Sequence, residues 1–492
     1  MSRSLGFQSM LGGRRVIGIL AVTVATTASM LIAGGAASAA TPSAGSHLPL
    51  ASRASTGAVG APAALSRASR LHQALTRGQV GEINGSTGGG FGSGVAIQKS
   101  TTVGGTSTMV VGAPYDNSSV GAAYVYTGSG GSWTKVATLT PSDGAANDYF
   151  GYAVAIGQGV IVVGSPCHSL SANYCTGAAY VFTGSGGSWT QTAEMNDPGQ
   201  AANDDFAVSL ALGSGSILVG ALGENSYAGA VFVYTLQGAQ KAELSDPANT
   251  ANDLFGTSLA ASGVQLVAGA PGTAGHKGAV YYYSQVRGGW IEKATLTASN
   301  SAGCSSTCGN PNPGLIYGDY FGDSVALGRG AIAVGAPYAS YPTPAPDSVG
   351  SGATYVFTGS GSTWAQKVEL SDPTEDAANA ASPPGCNGFS NPCNALDEFG
   401  YQVAFVGTEV VTSAPYDAQG YPNNATGAVF AYPNSGGTWS SSHSTKIVSN
   451  DGVAGDEFGS SGLVAAGGTT FAVATPYSSG GAYNGSVYFF RL

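Results

Sequence analysis

From Phe91 to its last residue the chain repeats one pattern of apolar, small and polar positions. A clear copy runs from Asp148 to Trp189, where D-Y-F-G-Y-A-V-A-I is followed by V-I-V-V-G-S-P and then by G-A-A-Y-V-F-T-G-S-G-G-S-W. In the first segment large residues (Phe150, Val154, Ile156) alternate with small ones (Gly151, Ala153, Ala155), the two-residue period of a strand. Such a strand offers a bulky face to one neighbouring sheet and a small face to the other. The second segment is an apolar run closed by proline, which ends a strand because it has no amide for a further ladder bond. In the third, small residues alternate with aromatics, as at Tyr180 and Phe182 or Tyr281 and Tyr283. A Gly-Ser turn follows, and usually a Trp (Trp133, Trp189, Trp290, Trp364, Trp439) opens a fourth strand. That strand carries Lys135, Gln191, Lys241, Lys293 or Lys367, the polar decoration of an outer edge that must not pair with other molecules.

The first segment recurs seven times, at Phe91, Phe150, Phe206, Phe255, Phe321, Phe399 and Phe458, each followed by Gly except for Ala207. Gly-Ala-Pro or a variant follows in register, from Gly112–Pro114 to Ala474–Pro476, with Gly220-Ala221-Leu222 in the third copy. Seven copies of four short antiparallel strands predict an all-β fold, a seven-bladed β-propeller over residues 81–492. The last copy stops after its third strand, at Tyr488 to Leu492, so the ring needs an outer strand from elsewhere. The donor predicted is the N-terminal segment within Leu75 to Ile83.

Strand direction sorts the loops. First-to-second and third-to-fourth turns share one end, short and rich in Gly, Ser and Thr. Second-to-third loops and blade-to-blade connections share the other, which collects nearly every insertion and a set of candidate ligand-binding residues: Tyr115, Asp116, Tyr174, Tyr227, Tyr338, Tyr341, Tyr416, Asp417, Tyr421, Tyr477 and Tyr483. Tyr with Asn, Asp and Ser suits the stacking and hydrogen bonding of surfaces that bind sugars or proteins. All six cysteines lie in the same loops as near neighbours, predicting disulfides Cys167–Cys175, Cys304–Cys308 and Cys386–Cys393 that stiffen insertions.

The N-terminal region differs. Arg3, Arg14 and Arg15 precede an apolar run from Val16 to Ala33, and Ala37-Ser38-Ala39 offers small residues to a signal peptidase, so residues 1–40 read as a cleaved export signal. Residues 41–80 are rich in Ala, Ser, Pro and Gly, a flexible leader. Residues 1–80 hold seven Arg and no acid, which leaves ten basic against 27 acidic residues in the remainder, a balance of −17. That balance argues against nucleic acid and anionic lipid as partners.

The recurring Phe-Gly and Gly-Ala-Pro pattern over Phe91 to Leu492 resembles the FG-GAP repeat of the integrin α-chain propeller. The resemblance implies an extracellular adhesion or ligand-binding scaffold, with the loop-rich end as its binding face. Integrin-type repeats often hold calcium in an Asp-rich hairpin between first and second strands. Here those hairpins read Gly157-Gln158-Gly159, Gly213-Ser214-Gly215, Gly328-Arg329-Gly330 and Gly407-Thr408-Glu409, with too few carboxylates for a hard cation, so no metal or other cofactor is expected there. Asp148, Asp204, Asp253, Asp319, Asp397 and Asp456, two residues before every repeat Phe except Phe91, read first as turn residues accepting backbone N–H groups. Paired with an earlier Asp, as Asp143 with Asp148 or Asp451 with Asp456, they offer a second reading as cation sites.

No catalytic residue is assigned. The five histidines do not repeat and no G-x-S-x-G motif occurs. The function expected is a secreted or cell-surface, monomeric, non-enzymatic protein that engages an extracellular protein or glycan and does not insert into membrane after signal cleavage. The alternative is a secreted glycoside hydrolase or polysaccharide lyase using the same face. Carboxylates and a His converging within about 6 Å in one pocket would favour the enzyme; a face lined by exposed tyrosines would favour binding.

Overall fold

The computed structural model describes residues 78–86, 88–102, 105–169, 175–287, 289–301, 318–339, 351–373, 397–417, 426–453, 455–467, 469–477 and 484–492. The predicted signal and most of the predicted leader lie outside them. No helix among the described residues is long and apolar enough to cross a membrane.

Strand β1 (Gly78–Asn84) comes first. Blade 1 is β2 (Val95–Gln98), β3 (Ser107–Ala113), β4 (Ala122–Ser129) and β5 (Ser132–Leu139). Blade 2 is β6 (Val154–Gly157), β7 (Val160–Ser165), β8 (Ala178–Ser185) and β9 (Ser188–Asn196). Blade 3 is β10 (Phe206–Gly213), β11 (Ser216–Ala221), β12 (Ala230–Tyr234) and β13 (Gln240–Leu244). Blade 4 is β14 (Leu259–Ser262), β15 (Gln265–Ala270), β16 (Ala279–Val286) and β17 (Gly289–Leu296). Blade 5 is β18 (Ser324–Gly328), β19 (Ala331–Ala336), β20 (Ala353–Ser360) and β21 (Thr363–Leu370). Blade 6 is β22 (Val403–Val406), β23 (Glu409–Ala414), β24 (Ala428–Tyr432) and β25 (Thr445–Ile447). Blade 7 is β26 (Ser461–Gly467), β27 (Thr470–Thr475) and β28 (Ser486–Arg491). Its fourth strand is β1, antiparallel to β28 with Gly78 opposite Arg491 and Asn84 opposite Ser486. The ring thus closes as the unfinished last repeat predicts, and Gly78 to Val80 belong to it rather than to the leader.

Seven apolar clusters lie one at each junction between blades. Val110, Val125 and Phe150 join blades 1 and 2, and Met109, Val111, Ala474 and Phe489 join blades 1 and 7. Each buried Phe of a Phe-Gly pair contributes about 1.5–3 kcal/mol relative to exposure. The glycines set the spacing. A Cβ on Gly112 of β3 would fall 1.8 Å from the Gly151 carbonyl oxygen of blade 2, and one on Gly335 would fall 1.9 Å from that of Gly400. Hydroxyls reinforce the same contact: Ser258 Oγ donates to Gly322 O at 2.7 Å and Ser461 Oγ to Gly92 O at 2.7 Å.

Two local features differ from the sequence pattern. In blade 2 the Phe-Gly pair precedes its inner strand, because Tyr149 (φ 59°) and Gly151 (φ 97°) turn the chain and Tyr152 N–H bonds back to Tyr149 O. The alternation from Phe150 to Ile156 is therefore partly that of a turn, with β6 starting at Val154. In blade 6 Trp439 opens no strand; a short 3-10 turn over Ser441–His443 intervenes before β25. Elsewhere Trp133, Trp189 and Trp364 each donate to the carbonyl of the glycine three residues earlier, pinning the third-to-fourth turn.

Candidate functional site

The connections between blades and the second-to-third loops meet at one end of the ring. The Asp before x-Phe-Gly is buried there and closes a turn: its carboxylate accepts the backbone N–H three residues earlier, from Ala145 to Asp148 at 2.7 Å, Ala201 to Asp204 at 3.1 Å, Thr250 to Asp253 at 3.1 Å and Val453 to Asp456 at 2.8 Å. The next residue takes positive φ, as at Tyr149 and Leu254 (both 59°), and turns the chain into Phe-Gly. In blades 1, 3 and 4 the facing loop makes a left-handed turn over Asp116–Ser119, Glu224–Tyr227 and Thr273–His276. Residues there such as Asn117 (φ 53°, ψ 50°) and Asn225 (φ 53°, ψ 47°) cost about 1–2 kcal/mol each in that region, less for Asn. The next blade's backbone holds the turn in place, with Tyr149 N–H donating to Ser119 O and Leu254 N–H to Tyr227 O.

In blades 2, 3 and 6 a polar cluster is thereby assembled from three sources: a residue after the preceding blade's outer strand, the turn Asp, and the second residue past the Gly-Ala-Pro proline position. In blade 1 Asp116 accepts from Ser86 Oγ at 2.8 Å and from Tyr124 Oη. In blade 2 His168 is buried, with Nδ1 2.9 Å from Asp148 and Nε2 3.7 Å from Asp143, and Glu194 nearby; Tyr180 Oη donates to Asp143 at 3.0 Å. The hydrogen bond to Asp148 is the main cause holding the His168 pKa above its ordinary value; burial opposes it, and the charges of Asp148, Asp143 and Glu194 add to it. In blade 6 Asp372, Asp397 and Asp417 converge, with Lys446 Nζ 2.5 Å from Asp417. Blade 3 brings together Asp197, Asp204 and Glu224. Burial, then the Asp197 carboxyl and the Glu224 charge, push Asp204 up to about 7, and burial raises Glu224 too.

The predicted ligand-binding residues divide. Tyr115, Tyr227, Tyr416 and Tyr477 are partly exposed at this end. Tyr115 packs edge-on against Tyr149 at 5.6 Å. Tyr338 is buried edge-on against Tyr320, which stacks on His276 at 4.8 Å. Asp116 and Asp417 are buried and bonded, Asp116 to Ser86 and Tyr124 and Asp417 to Lys446. Tyr174, Tyr341, Tyr421 and Tyr483 lie outside the described residues. Cys167 and Cys175 are bonded to each other; Cys304, Cys308, Cys386 and Cys393 lie outside the described residues. The loop tips expose Asn117, Ser118, Asn225 and Ser226 instead of tyrosine. His168, Glu224 and Lys446 were not among the residues predicted from sequence. The signal for His168 and Glu224 was register, since Asp116, His168, Glu224 and Asp417 all stand two residues past the proline position.

Chemically, these clusters can hold protons or cations, while the Tyr, Asn and Ser of the tips offer stacking and hydrogen bonds. The family model for the FG-GAP repeat matches residues 133–182, from the outer strand of blade 1 to the third strand of blade 2. Among solved structures the chain is similar to Sqt1 from Chaetomium thermophilum, at 12% identity and a TM-score of 0.45, over 85% of this chain and 100% of that one. No curated protein matches.

Proposed function

We propose that this chain, a seven-bladed β-propeller whose residues 133–182 match the FG-GAP repeat, is a secreted, monomeric, non-enzymatic protein that binds an extracellular protein or glycan through the loop-rich end of the ring. The observation that carries this reading is the gathering of partly exposed Tyr115, Tyr227, Tyr416 and Tyr477 with exposed Asn117, Ser118, Asn225 and Ser226 at one end. Aromatic faces beside small amides and hydroxyls supply contact area and adaptable hydrogen bonds at low entropic cost. Export is supported by the Arg-led apolar N-terminus and by the Cys167–Cys175 bond, which suits an oxidising compartment. The acidic balance of the ring speaks against nucleic acid.

A second reading, a carbohydrate-active enzyme, draws on blade 2, where His168 lies within 4 Å of both Asp143 and Asp148. Against it, His168 and Asp148 are both buried, and the same three-source cluster recurs in blades 3 and 6 without histidine. A glycan array and a polysaccharide-degradation assay on the exported chain test both. Binding without product release is expected; product release would overturn the binding reading.

A further inference from the structure

Comparing equivalent clusters around the ring singles out blade 3. In blade 2 the acids face His168, and in blade 6 they face Lys446. Blade 3 places Asp197, Asp204 and Glu224 at those same three positions. Its outer strand supplies no compensation either. Lys446 lies opposite Phe430 in blade 6, and the residue opposite the equivalent Phe232 is Glu243. Among the described residues no Lys, Arg or His pairs with any of these four carboxylates.

The oxygens themselves are left with acceptors facing acceptors. Asp197 is 1% exposed; its Oδ1 accepts the Gly199 N–H at 3.2 Å, while its Oδ2 has no hydrogen-bond partner among the described residues. Glu224 Oε2, also shielded from solvent, has none. Gly199 borders the same space, since a Cβ there would stand 3.5 Å from Glu224 Oε2 and 3.7 Å from Asp197 Oδ2. One oxygen from each of Asp197, Asp204 and Glu224 lies within 4.8 Å of the others.

We propose that Asp197, Asp204 and Glu224 form a divalent-cation site of the calcium class, completed by water and set at the loop-rich end of blade 3. A hard cation takes carboxylate oxygens, and calcium, with ligands at about 2.3–2.6 Å, accepts oxygens up to about 5 Å apart across its shell. Magnesium, at about 2.0–2.1 Å, needs a tighter set. The cation takes the place that His168 and Lys446 fill elsewhere in the ring. The inference is independent of the binding reading above, and either can fail without the other.

The test is thermal melting and calcium titration calorimetry of the exported chain at pH 7.5, with chelator, calcium or magnesium. For the natural protein calcium is expected to raise the melting temperature by about 2 °C or more and to do so better than magnesium. Glu224→Gln and Asp197→Asn remove a repelling charge, so each should melt no lower than the natural chain in chelator, yet bind calcium at least tenfold more weakly and lose that rise. Glu243→Lys, which copies the Lys446 arrangement, should likewise raise the melting temperature in chelator and abolish the calcium response. Natural protein that shows no calcium response, or variants that keep it in full, would overturn the assignment.

Discussion

At the scale of single residues the ring is governed by close approaches and by buried charge. Gly112 meets only backbone of the next blade, so the methyl of Gly112→Ala can be admitted only by moving blades 1 and 2 apart. A loss of about 1–3 kcal/mol is expected from overpacking, read in urea melts. Gly289→Ala, whose nearest neighbour is 3.8 Å away, should lose nothing. An equal effect at both positions would refute the account of blade spacing. His168 makes the second case. Asp148, Asp143 and Glu194 face its ring and Tyr180 lies edge-on to it, and the folded pKa is raised above the unfolded one. Its contribution is therefore full below the unfolded value near 6.5 and is lost as pH rises through the folded value. Melting profiles from pH 5.5 to 9 should show the natural chain losing stability over that upper range relative to His168→Gln, and parallel profiles would refute it. These buried partners were not legible in advance. Sequence shows that Asp148 precedes Phe-Gly, but not which loop residue lies over it, because that depends on how the strands before and after the loop set its height.

At the scale of strands, much was legible because the repeat imposes it. The strand order of all seven blades and the closure by the N-terminal segment follow from the two-residue alternation and from the missing outer strand after β28. Gln79 to Ile83 closes the ring although it resembles the other outer strands poorly, because an exposed β28 edge demands a partner more strongly than it demands a particular sequence. What failed was local: the start of β6, where positive φ at Tyr149 and Gly151 overrides an alternation that looks like strand, and the strand expected after Trp439. The Asp turn is legible in sequence because an acceptor just ahead of a reversal has donors close by in sequence. Closure makes a direct prediction. A chain lacking Gly78–Asn84 leaves β28 unpaired and should melt at lower temperature or aggregate, and a peptide of those residues supplied in trans should restore the loss. A truncated chain as stable and monodisperse as the full one would show that β1 does not close the ring.

At the scale of the whole molecule the two ends of the ring are built differently. The short-turn end is built from tight Gly and Ser hairpins such as Ser214-Gly215, while the other end carries the left-handed turns, the buried acid clusters and the partly exposed tyrosines. If binding uses the loop-rich end, blocking that end should abolish it and blocking the other should not. A small folded domain inserted between Ser214 and Gly215 should leave ligand binding within about twofold, since exposed hairpin tips tolerate insertion. The same domain between Asn117 and Ser118 should weaken binding more than tenfold while the ring stays folded, because those residues are the exposed tip of the blade 1 loop beside Tyr115. Melting curves on both insertions separate blockage from unfolding. Loss of binding with the Ser214 insertion alone would place the ligand on the opposite end of the ring and overturn the assignment of its working face.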